Sequence, residues 1–276
     1  MMRRIWLCAD DYGIAPGVDT GVRDLVSRGR LNATSVMVVA PSFSSAEANA
    51  LSALNAEKQR VAIGLHLTLT GPLRPLTSGY APLADGAFLP LATTLRLAMQ
   101  QRLDMTALAA EIRAQFEVFA AAFGRPPDFV DGHQHVHLFP QVRQAALEST
   151  SWIAPQAWMR QCGSALPLRR RLTDPKGLLI DWLSREFRAR ATRLGIATNP
   201  AFAGTYTFRA NADFAALFPS FLEGLPAGGL VMCHPGHVDA ELERLDPLTT
   251  LRQREYDYFC SDAFPTALKT HDLTLN

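Results

Sequence analysis

"IWLCADDYGIAPGVDTGVRDLVSRGRLNATSVMVVA", residues 5–40, decides the fold class. An apolar run, Ile5–Ala9, leads into two adjacent acids, Asp10 and Asp11. Pro16 then opens a helical segment that runs to residue 28, with Gly29 near its end, as helix start and stop signals require. "TSVMVVA" (34–40) is β-branched and nearly all apolar, the pattern of a strand covered on both faces. Strand, helix and strand in immediate succession form one βαβ unit.

The same alternation continues along the chain. A helix is expected over 43–57 and a strand at "RVAIGLHLTLT" (60–70). Between Thr106 and Phe123, Leu108, Ile112, Phe116, Phe119 and Phe123 recur at helical spacing, and Gly124 with Pro126 and Pro127 ends that helix. "DFVDGHQHVH" (128–137), "QAWMR" (156–160) and "GGLVMCHPGH" (228–237) are strands with their exits. Further helices are expected at 175–194, 211–223 and 247–259. Residues 71–100 carry Pro and Gly throughout and are expected as a long loop. The prediction is an α/β fold with a parallel sheet, closed or nearly closed as a (β/α) barrel. It would be a distorted or incomplete TIM-like barrel, one catalytic domain over residues 1–276. Its active site would lie at the C-terminal ends of the strands.

The 276 residues are 48% hydrophobic and 19% charged, with a formal net charge of +1. That balance gives no electrostatic ground for a nucleic-acid partner or an anionic membrane. The basic run Arg169–Arg171 is read as a solvated face. Cysteines at 8, 162, 233 and 260 form no C-x-x-C pair, so neither a zinc knuckle nor a disulfide framework is indicated. The apolar run before Asp10 is too short for a signal peptide, and no stretch approaches the roughly 20 residues of a membrane span. A cytoplasmic setting follows as an expectation; a homo-oligomer stays open. Neither G-x-G-x-x-G after the first strand nor a P-loop is present, so a nucleotide function loses its usual support.

Polar residues gather where the strands end. The first ends in Asp10 and Asp11, a later one carries His66 in "GLHLTL", the next runs into His133, His135 and His137, and a late one ends in His234 and His237. Six of the seven histidines lie in these three places. A mononuclear metal site needs three protein ligands and an open position. One carboxylate of the pair, His66 and one of the three clustered histidines supply such a set. The ion would also compensate the crowded carboxylates, and the second Asp could serve as a base. Each residue has a plainer reading. The Asp pair could cap the helix at Pro16, His66 could be a core histidine, and His234 could sit on a turn. H-x-H-x-H has a period of two, so its rings share one face if the strand continues.

On these stretches the sequence resembles the YdjC-like carbohydrate deacetylases, which include chitooligosaccharide deacetylases and proteins named for hopanoid biosynthesis. The matching segments are "ADDYG" (9–13), "TSVMV" (34–38), "IGLHLTL" (63–69), "DGHQHVHLFP" (131–140) and "HPG" (234–236), in the family's order. The resemblance implies a barrel-like fold and metal-dependent hydrolysis of an N-acetyl group on an amino sugar. It implies Asp11, His66 and His133 as ligands of one divalent ion, Asp10 as general base and His234 as general acid. By ligand type the ion suits zinc; family descriptions name magnesium. Gly132 stands where the family often has Ser or Ala, and Tyr12 where it commonly has Phe. "ATSVMVVAPS" (33–42) is closer to the hopanoid branch and "HVHLFP" to the chitooligosaccharide branch, so the sugar stays open.

Asp10 needs a cationic neighbour beside Asp11, and Arg160 is the candidate. Asp131, His135, His137 and His237 are candidates to contact sugar or orient ligands. Tyr12, Trp152 and Trp158 could stack on a sugar, with the core the more usual place for each Trp. Two competing classes remain. An amidohydrolase of another barrel superfamily would usually carry H-x-H on its first strand. A metal-containing sugar-binding protein without turnover would need neither Asp10 nor His234.

Overall fold

The computed structural model describes residues 2–81, 83–166, 175–209 and 211–276; the run Arg169–Arg171 lies outside them. The apolar runs become seven strands of one sheet: β1 (Trp6–Tyr12), β2 (Ala33–Val36), β3 (Ala62–Leu67), β4 (Phe129–Gly132), β5 (Trp158–Met159), β6 (Phe202–Ala203) and β7 (Leu230–Cys233). Their order is β5-β4-β3-β2-β1-β7-β6, and every neighbouring pair is parallel.

Side chains show that this sheet curls. Trp6 of β1 and Trp158 of β5 lie far apart in the strand order, yet their rings stack at 5.8 Å. Trp158 also stacks on Phe129 of β4 at 4.5 Å. Lone parallel bridges, Met159 with Thr198 and Ser164 with Phe202, link the two edges. The result is a distorted, incompletely closed barrel, the incomplete form of the expected fold. The strand at Phe202 is too short to leave a periodic signal, and the sequence reading omits it.

Helices cover the outside: α1 (Pro16–Ser27), α2 (Ser45–Ala53), α3 (Leu91–Met99), α4 (Met105–Phe123), α5 (Val142–Ile153), α6 (Pro175–Arg193), α7 (Phe214–Leu222), α8 (Ala240–Leu245), α9 (Thr250–Cys260) and α10 (Ala263–Thr270). Asp104 caps α4 by accepting from the N–H groups of Thr106 and Ala107, and Gly124 ends it in the left-handed region. Its buried Leu108, Ile112, Phe116 and Phe119 face the sheet. Gln115 on α4 exchanges two hydrogen bonds with the backbone of Thr68, and Glu111 accepts from the backbone of Leu76 and Thr77. This helix therefore anchors the chain leaving β3.

One expectation needs correction, and two gain detail. The stretch 71–100 is not all loop. It holds a short antiparallel pair, Leu83–Ala84 with Ala87–Phe88, and then α3. The apolar periodicity of "LATTLRLAM" is short and sits behind a Pro- and Gly-rich run that masks it. The helix expected at 247–259 is α9 alone, with α8 before it and α10 after it. The strand at "DFVDGHQHVH" stops at Gly132 and continues as a 3-10 turn over His133–Leu138. Among the described residues no helix is long and apolar enough to cross a membrane.

Alternation along each strand builds the interior in layers. Trp6, Phe129 and Trp158 fill one end with aromatic rings. Further along the same strands come Asp10, Asp131 and Arg160, which meet one another. Gly64 keeps room for the aromatic layer: a Cβ there would lie 2.5 Å from the Phe129 ring. Gly64→Ala overpacks this closed end. It should lower the unfolding free energy by about 1–3 kcal/mol, measured by urea denaturation, while Gly79→Ala, where a Cβ meets nothing within 4 Å, should change it little.

Candidate active site

Asp10 and Asp11 are adjacent and almost fully buried, but they take different partners. The register of β1 against β2 shifts between Ala9 and Tyr12, and Asp11 has φ +67°. Such an irregularity re-aims a side chain. Asp10 follows the strand inward, where both its oxygens accept from Arg160 at 2.6 and 2.7 Å. Neither acid caps α1: its N-cap is Ala15, with no side-chain cap bond.

Asp11 meets the histidines. Its Oδ1 lies 3.2 Å from Nε2 of His66 and 3.0 Å from Nδ1 of His133, and its Oδ2 accepts from Arg252 at 2.6 Å. The other ring nitrogen of His66, Nδ1, lies 2.6 Å from Asp131 Oδ1 and 2.9 Å from Ser35 Oγ. An ionised carboxylate only accepts hydrogen bonds, so Nδ1 carries the hydrogen and Nε2 is left facing Asp11. Asp131 is held in turn by Arg160 at 2.5 Å.

One donor atom from each of Asp11, His66 and His133 lies within 4.8 Å of the others. Metal–ligand bonds of about 2.0–2.2 Å place the donors around one ion at separations of this order. Two ring nitrogens and a carboxylate oxygen aimed at one point are an arrangement that a cation satisfies. These residues fit a divalent metal. Cys8, Asp10 and Asp131 form a second convergent set, but the Arg160 guanidinium occupies it, with Nη2 3.0 Å from the Cys8 sulfur.

The electrostatics follow from burial and pairing. Burial opposes the charge on Asp11, yet Arg252 and His133 outweigh it and hold the carboxyl well below its usual range. Burial likewise opposes charge on Asp131, and Arg160 with His66 brings it down to about 2. His66 is pushed up to about 10: burial disfavours the imidazolium, but Asp131 and Asp11 stabilise it more. Burial lowers His135 well below its ordinary value and His137 to about 4. It lowers His234 as well, while the charges of Asp11, Asp10 and Asp246 pull upward.

Asp10, Asp11, His66, His133 and His234 line one cavity of about 350 Å³. Its walls are largely apolar and include Leu91 and Leu95 of α3, Leu179 and Leu183 of α6, Phe208 and Leu248. Residues from both halves of the sequence thus share one chamber at the C-terminal ends of the strands.

The profile of the YdjC-like protein family matches residues 4–270. The chain belongs to the YdjC-like family. A chitooligosaccharide deacetylase of Yersinia pestis is 29% identical over 245 residues, covering 85% of this chain and 82% of that one. Among solved structures, a protein from Enterococcus faecalis proposed to cleave cellobiose phosphate superposes with a TM-score of 0.77. It is 20% identical, over 100% of this chain and 97% of that one. A peptidoglycan N-acetylglucosamine deacetylase gives a TM-score of 0.51 at 10% identity, over 98% and 84% of the two chains. These two likenesses concern the fold.

The remaining candidates of this YdjC-like chain take different places. Arg160, Asp131 and His137 lie behind the cavity wall; Nε2 of His137 donates to the Arg160 carbonyl at 2.8 Å. Gly132 makes room for that ring, since a Cβ there would lie 2.9 Å from its Nδ1. His135 lines the cavity, with Nδ1 3.6 Å from the Cys162 sulfur. The H-x-H-x-H rings do not share a face, because Gln134 and His135 adopt left-handed backbone (φ +53° and +60°). His237 contacts Gln253 and Tyr256, and Tyr12 bonds to Arg23 and Glu47, both away from the cavity. Trp158 is in the core stack, whereas Trp152 is 86% exposed, which corrects the core reading of the latter.

Sequence reasoning missed Arg252, Asp246, Glu255 and Tyr206. Arg252 joins Asp11 to Asp246, and Glu255 accepts from the His234 backbone and the Tyr206 hydroxyl. The available signal was Arg252 and Glu255 at i, i+3 on a helix, beside buried Leu251 and Phe259. Asp131→Asn removes the charge behind His66 and should weaken metal affinity by about 10–100-fold. Titration of metal-stripped protein with a competing chelator measures it; unchanged affinity would contradict the orientation role.

Proposed function

We propose that this protein is a metal-dependent hydrolase that removes the N-acetyl group from an acetylated amino sugar. The observation that carries the reading is the convergence of Asp11, His66 and His133 on one point, with Asp10 and His234 lining the same cavity. The chitooligosaccharide deacetylase among its relatives supports the sugar. Two imidazoles and one carboxylate favour zinc or another transition ion over magnesium, which prefers oxygen donors. Four free cysteines suit a reducing compartment such as the cytoplasm.

Asp11, His66 and His133 would hold the ion. Bound there, a divalent cation supplies positive charge that polarises the acetyl carbonyl and lowers the pKa of water. Asp10 takes a proton from the water whose oxygen attacks the carbonyl carbon. Arg160 fixes the Asp10 carboxylate through two hydrogen bonds, so that carboxylate needs little reorientation when it acts. The C–N bond then breaks, and His234 gives a proton to the departing nitrogen. Acetate and a free amine result. Burial, with the charge of Arg252, holds the His234 ring below the ordinary imidazole range, and Asp11, Asp10 and Asp246 offset this only in part, so a proton carried by this ring is readily given up.

The test is acetate release from N-acetylglucosamine oligomers by metal-loaded protein. Chelation should abolish it, and readdition of metal should restore it. Asp10→Asn should keep the ion, measured by elemental analysis, and lose about 10²–10⁴-fold in rate. Retained metal with no acetate from any acetylated sugar would instead make the protein a sugar-binding one without turnover.

A further inference from the structure

Glu255 is fully buried on α9, and a buried carboxylate is costly unless its partners compensate it. Its partners are specific. Oε2 accepts the backbone N–H of His234 at 2.5 Å, and Oε1 accepts the Tyr206 hydroxyl at 2.7 Å. One turn earlier on the same helix, Arg252 reaches Asp11. One turn further along the same side of α9, aromatic packing locks the helix: Tyr258 and Phe259 contact Phe214, Phe218 and Phe264.

The His234 ring is weakly oriented by its own contacts. Its Nδ1 is buried without a hydrogen-bond partner among the described residues. The ring packs edge-on against Phe208, with centroids 5.4 Å apart. Its place in the cavity is therefore set largely from the backbone, just past the end of β7, where Glu255 grips it. Burial raises Glu255 to about 7, although the Tyr206 hydroxyl and the His234 N–H, which donate to it, pull the other way.

We propose that Glu255, backed by Tyr206, is a positioning residue for His234: it fixes the backbone from which the imidazole reaches the leaving nitrogen. This rests on the reading of His234 as proton donor. Arg252 on the same helix face fixes Asp11, so one element sets both the ligand and the acid. Tyr206 extends the grip to the segment after β6, which bears Phe208, the other neighbour of the ring.

A double-mutant cycle tests it, with kcat, KM and metal content measured on N-acetylglucosamine oligomers. Glu255→Ala should lower kcat about 10–100-fold, the loss expected of a misplaced catalytic group, with KM and bound metal unchanged. Glu255→Gln keeps an acceptor for one of the two bonds and should lie between wild type and Glu255→Ala. His234→Ala should lose about 10²–10⁴-fold, and adding Glu255→Ala or Tyr206→Phe to it should cost nothing further. If Glu255→Ala does not fold, the same cycle with Glu255→Gln and Tyr206→Phe decides. Multiplicative losses, unchanged kcat, or loss of bound metal in the Glu255 variants would overturn the positioning role alone. Wild-type protein that releases no acetate, or His234→Ala at full rate, would overturn the reading of the site and this inference with it.

Discussion

The buried guanidinium of Arg160 is the interaction on which the rest of the site depends. It lies at the end of β5, bonds both oxygens of Asp10 on β1, and reaches Asp131 on β4. Charges removed from water this completely persist only when paired and hydrogen-bonded. The pairing spans the curled sheet from side to side, so the polar end of the interior holds only if the curl holds. The stacked rings of Trp6, Trp158 and Phe129 secure the other end of the same strands.

From Arg160 the polar contacts run on without a break: Arg160 to Asp131, Asp131 to His66, His66 to Asp11, Asp11 to Arg252, Arg252 to Asp246. Two guanidiniums face the carboxylates of Asp10, Asp11, Asp131 and Asp246. The excess negative charge is what a divalent cation matches, and it accounts for the readiness of His66 to hold a proton. The two neighbouring acids of β1 are thus separated in role by the backbone. One stays in strand register and meets an arginine; the other turns at a left-handed position and meets imidazoles.

Much of this was legible in the sequence. Apolar runs ending in Asp or His marked the strands whose ends meet, and Asp11, His66 and His133 do converge. Other parts were hidden for physical reasons. The period-two rule fails after Gly132 because the chain leaves the strand there. Tyr12 lies past the irregularity at Asp11, and its hydroxyl meets Arg23 and Glu47 instead of the cavity. Arg252 and Glu255 sit on a helix whose charged positions would ordinarily be assigned to solvent. Only in the folded chain does this face of α9 come to lie against the strand ends.

The seam between β5 and β6 has a consequence for how the chamber can vary. Among the described residues its two sides are joined by isolated bridges, not by a ladder, whereas β1 to β4, which carry or lead into Asp11, His66 and His133, are ladder-paired apart from the shift between Ala9 and Tyr12. The barrel thus has a laddered wall and a sparsely bridged one. Changes of sequence length along the sparsely bridged side alter the bore of the vessel without breaking a ladder that spaces Asp11, His66 and His133, so what the chamber admits can drift while the chemistry stays put.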